Sequence, residues 1–164
     1  MKLSHILGGT LPLALMVANP AHAGEQDFTG PYAAAELGVI DDDFAGTQEG
    51  SWGFEAGYDY DLGSAVVGAA VKYGRVFDDD GTDFSDVSLM ARVGVKPAKN
   101  VLVYGLGGYS HLDFDEDKMD GFKAGLGAEV ALGKGLLARL ETRYGNYEDG
   151  LELYQTAIGI GYRF

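Results

Sequence analysis

The chain has 164 residues, a formal net charge of −13 and no cysteine. Its length fits one domain, and its acidity argues against nucleic acid as a partner, because phosphate binding requires clustered Lys and Arg side chains. The absence of Cys excludes a disulfide scaffold and thiolate zinc sites. The content of 26 Gly with only four Pro favours short strands whose backbones approach each other closely.

The first residues have the pattern of a secretory signal peptide. Lys2 supplies a positive end, an apolar run extends from Ile6 to Ala18, and Ala21-His22-Ala23 forms a small-x-small cleavage site. The run is too short for an ordinary membrane-spanning helix, and the Gly and Pro residues in and around it disfavour the alternative of an N-terminal core helix. We therefore predict a signal peptide over 1–23 and one mature domain over 24–164.

After this segment, the alternation of bulky or apolar residues with small or polar ones predicts eight strands. The second strand is the clearest, with Trp52, Phe54, Ala56, Tyr58 and Tyr60 on one face and Gly53, Glu55, Gly57 and Asp59 on the other. The fifth is ambiguous because Leu102, Val103 and Tyr104 put apolar side chains on both faces, and its facing stays open. The predicted strands span residues 32–40, 51–60, 65–77, 86–96, 101–111, 121–132, 136–144 and 156–164.

The connections alternate between longer segments, mostly acidic, and short turns. The longer ones run from Asp41 to Gly50, from Asp78 to Asp83, from Asp113 to Asp120 and from Gly145 to Gly150. The short turns lie at residues 61–64, 97–100 and 133–135. This layout is typical of an up-and-down barrel with both termini on the short-turn side. We predict an all-β fold, an eight-stranded antiparallel up-and-down transmembrane β-barrel, too narrow to form an open pore.

Charged residues recur on the faces opposite the apolar rows. A Lys or Arg that faces the middle of a bilayer costs ~2–4 kcal/mol, so we assign these charges to the barrel interior, where buried ions must be paired. A gated ion path or a ligand cavity stays open as an alternative, as does a soluble barrel of inverted polarity. The predicted lumen charge network comprises Glu36, Glu55, Lys72, Arg92, Lys123, Glu129, Arg139, Glu141 and Arg143.

The last predicted strand carries a bulky residue at every second position. Ile158, Ile160, Tyr162 and Phe164 lie on one face, with small or polar residues between them.

Aromatic residues near the ends of several strands predict two girdles at the membrane interfaces. One girdle comprises Tyr58, Tyr60, Tyr162 and Phe164, and the other comprises Trp52, Tyr73, Phe77, Phe122, Tyr144 and Tyr154.

The sequence predicts no catalytic residue, no cofactor and no metal ligand. His111 is the only histidine after the predicted signal peptide. Its neighbour Ser110 points to the opposite face of a strand, so the two cannot form a nucleophile and base pair there.

The segment from Asp113 to Asp120 begins like a calcium-binding EF-hand loop. Lys118 stands where that motif requires Gly, and Ala124 stands where it requires a bidentate Glu, so the motif fails. Loose binding of Ca²⁺ or Mg²⁺ by the acidic loops, bridging to anionic lipopolysaccharide, stays open beside a plain solvated rim.

The signal peptide pattern and the alternation that ends in Tyr162-x-Phe164 resemble the small OmpA/OmpX-like outer-membrane β-barrels. The resemblance implies the Gram-negative outer membrane, contact with its lipid and lipopolysaccharide, and recognition of Ile158, Ile160, Tyr162 and Phe164 by the barrel-assembly machinery. It implies a non-enzymatic monomer with a structural or surface-interaction role in the cell envelope. The short loops argue against an adhesin. An enzyme that modifies lipid A or phospholipid, and a narrow channel, stay open as alternatives.

Overall fold

The computed structural model describes residues 27–42, 48–77, 84–114 and 117–164, and the predicted signal peptide lies outside these residues. The described part contains no helix that is long and apolar enough to cross a membrane. Its strands are β1 (Gly30–Asp42), β2 (Gln48–Asp61), β3 (Ala65–Val76), β4 (Phe84–Ala98), β5 (Val101–Phe114), β6 (Asp117–Gly133), β7 (Leu136–Tyr147) and β8 (Glu152–Arg163), with a 3-10 helix at Glu148–Gly150.

The eight strands form one closed barrel. Each strand pairs antiparallel with the next in sequence, and β1 pairs with β8. The register at this seam is continuous from Tyr32 opposite Arg163 to Asp42 opposite Leu153. Closure gives the backbone groups of the first and last strands a partner within the sheet, as a lipid environment requires. The predicted eight-stranded antiparallel up-and-down barrel is therefore confirmed.

Successive side chains alternate between the outside of the barrel and its lumen. Leu37 and Phe54 are 58% and 56% exposed, whereas Glu55 is 4% exposed. On β8, Ile158 and Ile160 face outward and Ala157 is buried. Apolar residues outside and charges inside are the arrangement of a lipid-facing barrel, the inverse of a soluble ligand-binding barrel.

The facing of β5, which the sequence left open, follows from burial. Leu102, Tyr104 and Leu106 are buried in the lumen, while Val103 and Tyr109 are about half exposed, at 44% and 55%. Both faces of this strand are apolar because its inner side chains belong to a hydrophobic cluster inside the barrel. Alternation in hydropathy could not choose between two apolar faces.

The prediction of an acidic loop from Asp113 to Asp120 is wrong. β5 continues to Phe114 and β6 begins at Asp117, so that Asp113 lies opposite Lys118 in the ladder. Lys118 Nζ is 3.9 Å from Asp113 Oδ2. Charged cross-strand pairs can continue a sheet beyond the apolar rows. Acidic residues therefore did not mark the ends of these two strands.

Other predicted boundaries also shift. β2 begins at Gln48, inside the predicted first loop, and β7 runs to Tyr147, beyond its predicted end. β4 runs to Ala98, which shortens the next turn to two residues. The pairing of β4 with β5 is irregular around Pro97, which has no N–H to donate. The predicted loop over 78–83 lies outside the described residues.

Candidate functional site

The nine residues of the predicted charge network lie inside the barrel. Eight of them are buried, and Glu36 is half-buried. The structure adds Asp59, Asp86 and Arg163, which pair with members of this set. The enlarged network contains six cationic and six anionic side chains, so its charges balance. The cations are Lys72, Arg92, Lys123, Arg139, Arg143 and Arg163, and the anions are Glu36, Glu55, Asp59, Asp86, Glu129 and Glu141.

Lys72 of β3 sits among three glutamates at the middle of the lumen. Its Nζ is 2.8 Å from Glu141 Oε2 and 3.5 Å from Glu36 Oε2, and it also pairs with Glu55. Carboxylate oxygens of the three glutamates come within 4.8 Å of one another, close enough to share a metal ion. The ammonium group of Lys72 supplies a positive charge among these carboxylates, so the cluster is an ion-pair centre of the barrel.

Two arginines of β7 extend this centre in both directions. Arg143 donates from Nε to Glu141 and from Nη1 to Glu36, both at 2.8 Å. Arg139 lies with Nη1 2.8 Å from Glu55 and donates from Nη2 to Glu129 at 2.8 Å. Arg139 Nε and Nη1 and Glu55 Oε2 have no hydrogen bond of good geometry. The contact between Arg139 and Glu55 is therefore held by charge more than by directional bonding.

A second group of ion pairs fills the half of the barrel near the termini. Arg92 pairs with Asp59 and lies 3.3 Å from Glu129 Oε2. Arg163 of β8 lies 2.8 Å from both Asp59 and Glu129. Asp59 lies on the polar face of the predicted second strand, and Arg163 lies between bulky residues of the predicted last strand. That alternation was the signal that could have added both to the predicted network.

A third group lies toward the opposite end of the lumen. Lys123 pairs with Asp86 and donates to Ser88 Oγ at 3.1 Å. Ser110 donates to Asp86, and its Oγ is 3.0 Å from Tyr147 Oη. Asp86 was overlooked because it stood at the very start of the predicted fourth strand, where alternation is short.

Two buried tyrosines link the ion pairs, and sequence reasoning missed both. Tyr32 Oη donates to Glu55 and Tyr104 Oη donates to Glu141, each at 2.5 Å. The Arg92 guanidinium lies 4.6 Å and 4.8 Å from the centroids of the Tyr32 and Tyr104 rings. Such cation–π contacts add attraction where water is excluded. The sequence held no signal for Tyr104, because the facing of its strand was open.

Phe28 covers the end of the barrel where β1 begins and β8 ends. Its side chain is 1% exposed and packs with Val66 and Met90. Arg163 Nη1 donates to the Phe28 carbonyl oxygen at 2.6 Å, and the guanidinium lies 5.7 Å from the ring centroid. The backbone N–H of Phe28 donates to Asp61 at 3.2 Å. The segment before β1 is thus folded into the barrel mouth.

Little space is left between these side chains. A cavity of about 30 Å³ lies among Ser51, Asp86, Lys123, Arg143 and Gln155, which is room for one or two water molecules. A second space, of about 180 Å³, lies at the end where β1 begins and β8 ends, among Phe28, Glu129, Leu137 and Arg163. An eight-stranded barrel is little wider than its own side chains, and between these two spaces the lumen is occupied by the ion pairs described above.

His111 lies outside the lumen, and its neighbour Ser110 lies inside. His111 Nδ1 is 2.6 Å from Asp120 Oδ1, across the ladder between β5 and β6, whereas Ser110 is fully buried. Histidine and serine thus point to opposite faces of β5. This arrangement cannot serve nucleophilic chemistry between those two residues.

The four bulky residues of the last strand face outward. Ile158 and Ile160 are 63% and 57% exposed, and Tyr162 and Phe164 are 46% and 76% exposed. The rings of Tyr162 and Phe164 meet edge to face at 5.2 Å. They present a continuous apolar strip on the side of the barrel where β8 meets β1.

Known proteins share this sequence pattern and fold. The family model for the outer membrane protein beta-barrel domain matches residues 10–164. The 25 kDa outer-membrane immunogenic protein of Brucella ovis is 30% identical over an alignment of 122 positions, which covers 66% of this chain and 61% of that protein. The chain therefore spans less than two thirds of the length of this relative.

Solved structures share the fold at low sequence identity. Ail, the attachment invasion locus protein of Yersinia pestis, superposes with a TM-score of 0.64 at 16% identity, over 85% of this chain and 99% of Ail. Neisserial surface protein A superposes with a TM-score of 0.63 at 17% identity, over 83% and 98% of the two chains. The family match and the Brucella relative locate the protein in the Gram-negative outer membrane. The chain belongs to the family of outer-membrane β-barrels defined by the outer membrane protein beta-barrel domain.

Proposed function

We propose that this protein is a non-enzymatic barrel with a structural or surface-interaction role in the cell envelope. The observation that carries the proposal is the filled lumen: balanced ion pairs and buried tyrosines occupy the barrel from one end to the other. Buried charges are tolerated only when they are paired and hydrogen-bonded. Paired side chains of this kind brace the barrel wall. The spaces left among the described residues, of about 30 and 180 Å³, are smaller than the roughly 300–1,000 Å³ of ordinary ligand pockets.

The outside of the barrel supports the same function. Outer-membrane barrels contact lipid through their apolar belt, and this belt carries residues such as Leu89, Leu126 and Ile158, which are more than 60% exposed. The loops at the end opposite the termini would carry any contact with lipopolysaccharide, with loosely bound divalent cations or with host molecules. The Brucella relative is named as immunogenic, which fits a protein whose loops reach the cell surface.

We also propose how the protein reaches the outer membrane. Export uses the signal peptide over 1–23, the domain over 24–164 folds as a monomer, and the assembly machinery reads Ile158, Ile160, Tyr162 and Phe164. The exposed apolar strip formed by these residues supports that reading, because a docking partner can reach it before the barrel closes.

Mobility in SDS gels with and without boiling tests the barrel in outer-membrane extracts. We expect unheated protein to resist SDS and to migrate at a position different from that of boiled protein. Purified protein should also be silent in planar bilayers, and membranes from cells with and without the gene should have the same acyl composition. Measurable conductance would favour a narrow channel, and an altered acyl pattern would favour a lipid-modifying enzyme.

A further inference from the structure

The outward face of β1 carries small residues between two bulky neighbouring strands. Ala33 lies opposite Ala56 on one side and Tyr162 on the other, and Ala35 lies between Phe54 and Ile160. Phe54 and Ile160 are 56% and 57% exposed. The alanines therefore form the floor of a trough that runs along β1, and the larger side chains of β2 and β8 form its walls.

This trough is continuous over much of one membrane leaflet. One part, of about 680 Å³, extends from Leu136 and Tyr162 past Ala33. A second part, of about 430 Å³, continues to Trp52 and Ile158. Both parts include Ala35, Phe54 and Ile160. From residue 33 to residue 37 the strand extends by about 13 Å. At the ~35–45° tilt of outer-membrane strands this is about 10 Å along the membrane normal, about two thirds of one half of the ~30 Å hydrocarbon thickness of a bilayer.

A cationic side chain stands near the periplasmic end of the trough, the end that carries both termini. Lys134 is exposed in the turn between β6 and β7, two residues before Leu136. Its neighbour Gly135 packs so closely on the Tyr162 ring that a Cβ there would lie 2.7 Å from Cζ. The turn therefore sits directly against the wall of the trough. An ammonium group at this interface complements a lipid phosphate.

We propose that the trough along β1 is a binding site for one glycerophospholipid of the periplasmic leaflet. One acyl chain lies on Ala33 and Ala35, between Phe54 and Ile160, and the phosphate lies at Lys134. The inference depends on the outer-membrane location of the chain and not on its proposed structural role. Its occupant follows from three observations: the trough belongs to the lipid-facing belt, it lies within one leaflet, and an exposed lysine stands in the turn two residues before Leu136 at its interfacial end.

The protein contains its own reporter for this site. Trp52 is the only tryptophan in the sequence and lines the upper part of the trough. Folded protein in a non-ionic detergent can be titrated with phosphatidylethanolamine that carries brominated acyl chains, which quench tryptophan fluorescence on contact. We expect saturable quenching with a stoichiometry of one lipid per barrel.

Matched variants locate the effect. Ala35→Leu fills the floor of the trough and should raise the lipid concentration for half-quenching roughly tenfold, a change equal to about 1.4 kcal/mol. Ala33→Leu is a second variant for the same purpose. Ala91→Leu adds the same side chain to an outward position of β4 and should leave the titration unchanged. Lys134→Gln should weaken binding of the phospholipid but not of brominated diacylglycerol, which has no phosphate.

Quenching that never saturates, or that is equal in Ala35→Leu and Ala91→Leu, would overturn the proposal and leave only non-specific lipid contact. Stronger displacement by lipid A than by phospholipid would overturn its assignment to the periplasmic leaflet. If light scattering shows a dimer, a second copy of the chain, and not a lipid, would be the occupant of the trough along β1. Each sample is first checked for the heat-dependent gel shift, whose absence in the unaltered protein would refute the barrel itself.

Discussion

Among single residues, Glu129 has three cationic partners in the lumen, as many as Glu141. It is 0% exposed, and one of its carboxylate oxygens is shared by two side chains while the other pairs with a third. The partners are Arg92 at 3.3 Å, Arg139 at 2.8 Å and Arg163 at 2.8 Å. Removing one member of a buried ion pair leaves the other charge uncompensated, which costs far more than losing an exposed pair.

Replacing Glu129 by Gln should therefore lower the free energy of unfolding by about 3–5 kcal/mol. Urea unfolding in lipid vesicles, followed by Trp52 fluorescence, measures the change. The control is Glu49→Gln, because Glu49 is exposed at the rim of the barrel and its replacement should cost less than about 0.5 kcal/mol. Similar small effects for both variants would show that the pairs around Glu129 contribute little.

A second prediction concerns the close approach of a glycine to a buried ring. A Cβ at Gly127 would lie 2.5 Å from Tyr104 Cζ and 2.7 Å from its Oη, and the ring is held by its hydrogen bond to Glu141. Gly127→Ala should cost about 1–3 kcal/mol through overpacking. Gly74→Ala is the control, because the nearest atom to its Cβ would be 3.7 Å away. The same unfolding assay compares them, and equal stability of the two variants would contradict the prediction.

Among the secondary-structure elements, the segment before β1 and the end of β8 hold each other in place at the mouth of the barrel. Arg163 binds the backbone of Phe28 and also pairs with Asp59 of β2. The contacts of Arg163 with Phe28 and Asp59 therefore form only once β8 has paired with β1, which brings Arg163 into the mouth of the barrel. Phe28 then covers the apolar cluster that contains Val66 and Met90.

Phe28→Ala should cost about 3–5 kcal/mol, the range for removing a buried aromatic ring. Phe77→Ala is its control, because Phe77 is 58% exposed and loses less buried area. Urea midpoints of both variants in vesicles provide the comparison. If Phe28→Ala were as stable as Phe77→Ala, the segment would lie on the barrel without sealing it.

The residue that follows β8 allows assembly to be distinguished from stability. Phe164 is 76% exposed, so Phe164→Ala should change the stability of protein refolded in vesicles by less than about 1 kcal/mol. In cells, the same variant should reach the outer membrane at a reduced level, because the proposed assembly signal has lost its terminal aromatic group. Quantitative blotting of membrane fractions measures this level. Val39, which also faces outward but lies outside the signal, offers a control in Val39→Ala, and equal levels for both variants would exclude a special role for Phe164.

Across the whole molecule, the lumen network connects strands that are distant in sequence. Arg143 and Glu36 are separated by 107 residues, and Lys72 and Glu141 by 69 residues. With Tyr104 of β5, every strand contributes a side chain to the network. Loss of one strand would break pairs held by several others, so local opening is disfavoured.

We therefore expect a single cooperative unfolding transition. Curves measured by Trp52 fluorescence and by circular dichroism should coincide in urea, and Glu129→Gln should shift the midpoint without changing the slope. Boiled and unboiled gel samples taken along the curve serve as an independent probe. Separate transitions would mean that the two halves of the barrel unfold independently.

Period-2 alternation was enough to predict the strands and the inner charges, because each side of a transmembrane strand faces a different solvent. Glu55 could be assigned to the lumen from its apolar neighbours alone. Alternation failed where both faces of a strand had the same character, as around Tyr104. It also failed at the water-exposed ends of β5 and β6, where Asp113 and Lys118 continue the ladder, because outside the lipid neither face must be apolar.

The sequence by itself determined the barrel, its strand number and the inward position of the charges, since all three follow from the local cost of placing a side chain in lipid. Only the tertiary structure decided which charged side chains pair with each other in the lumen. Whether Arg143 meets Glu36 or another carboxylate depends on the tilt and stagger of the strands around a closed barrel. Arg143 and Glu36 are more than a hundred positions apart in the sequence, so no local pattern could predict that they pair. Closure likewise brings Arg163 to Phe28, because strands far apart in the chain become neighbours only when the sheet meets itself.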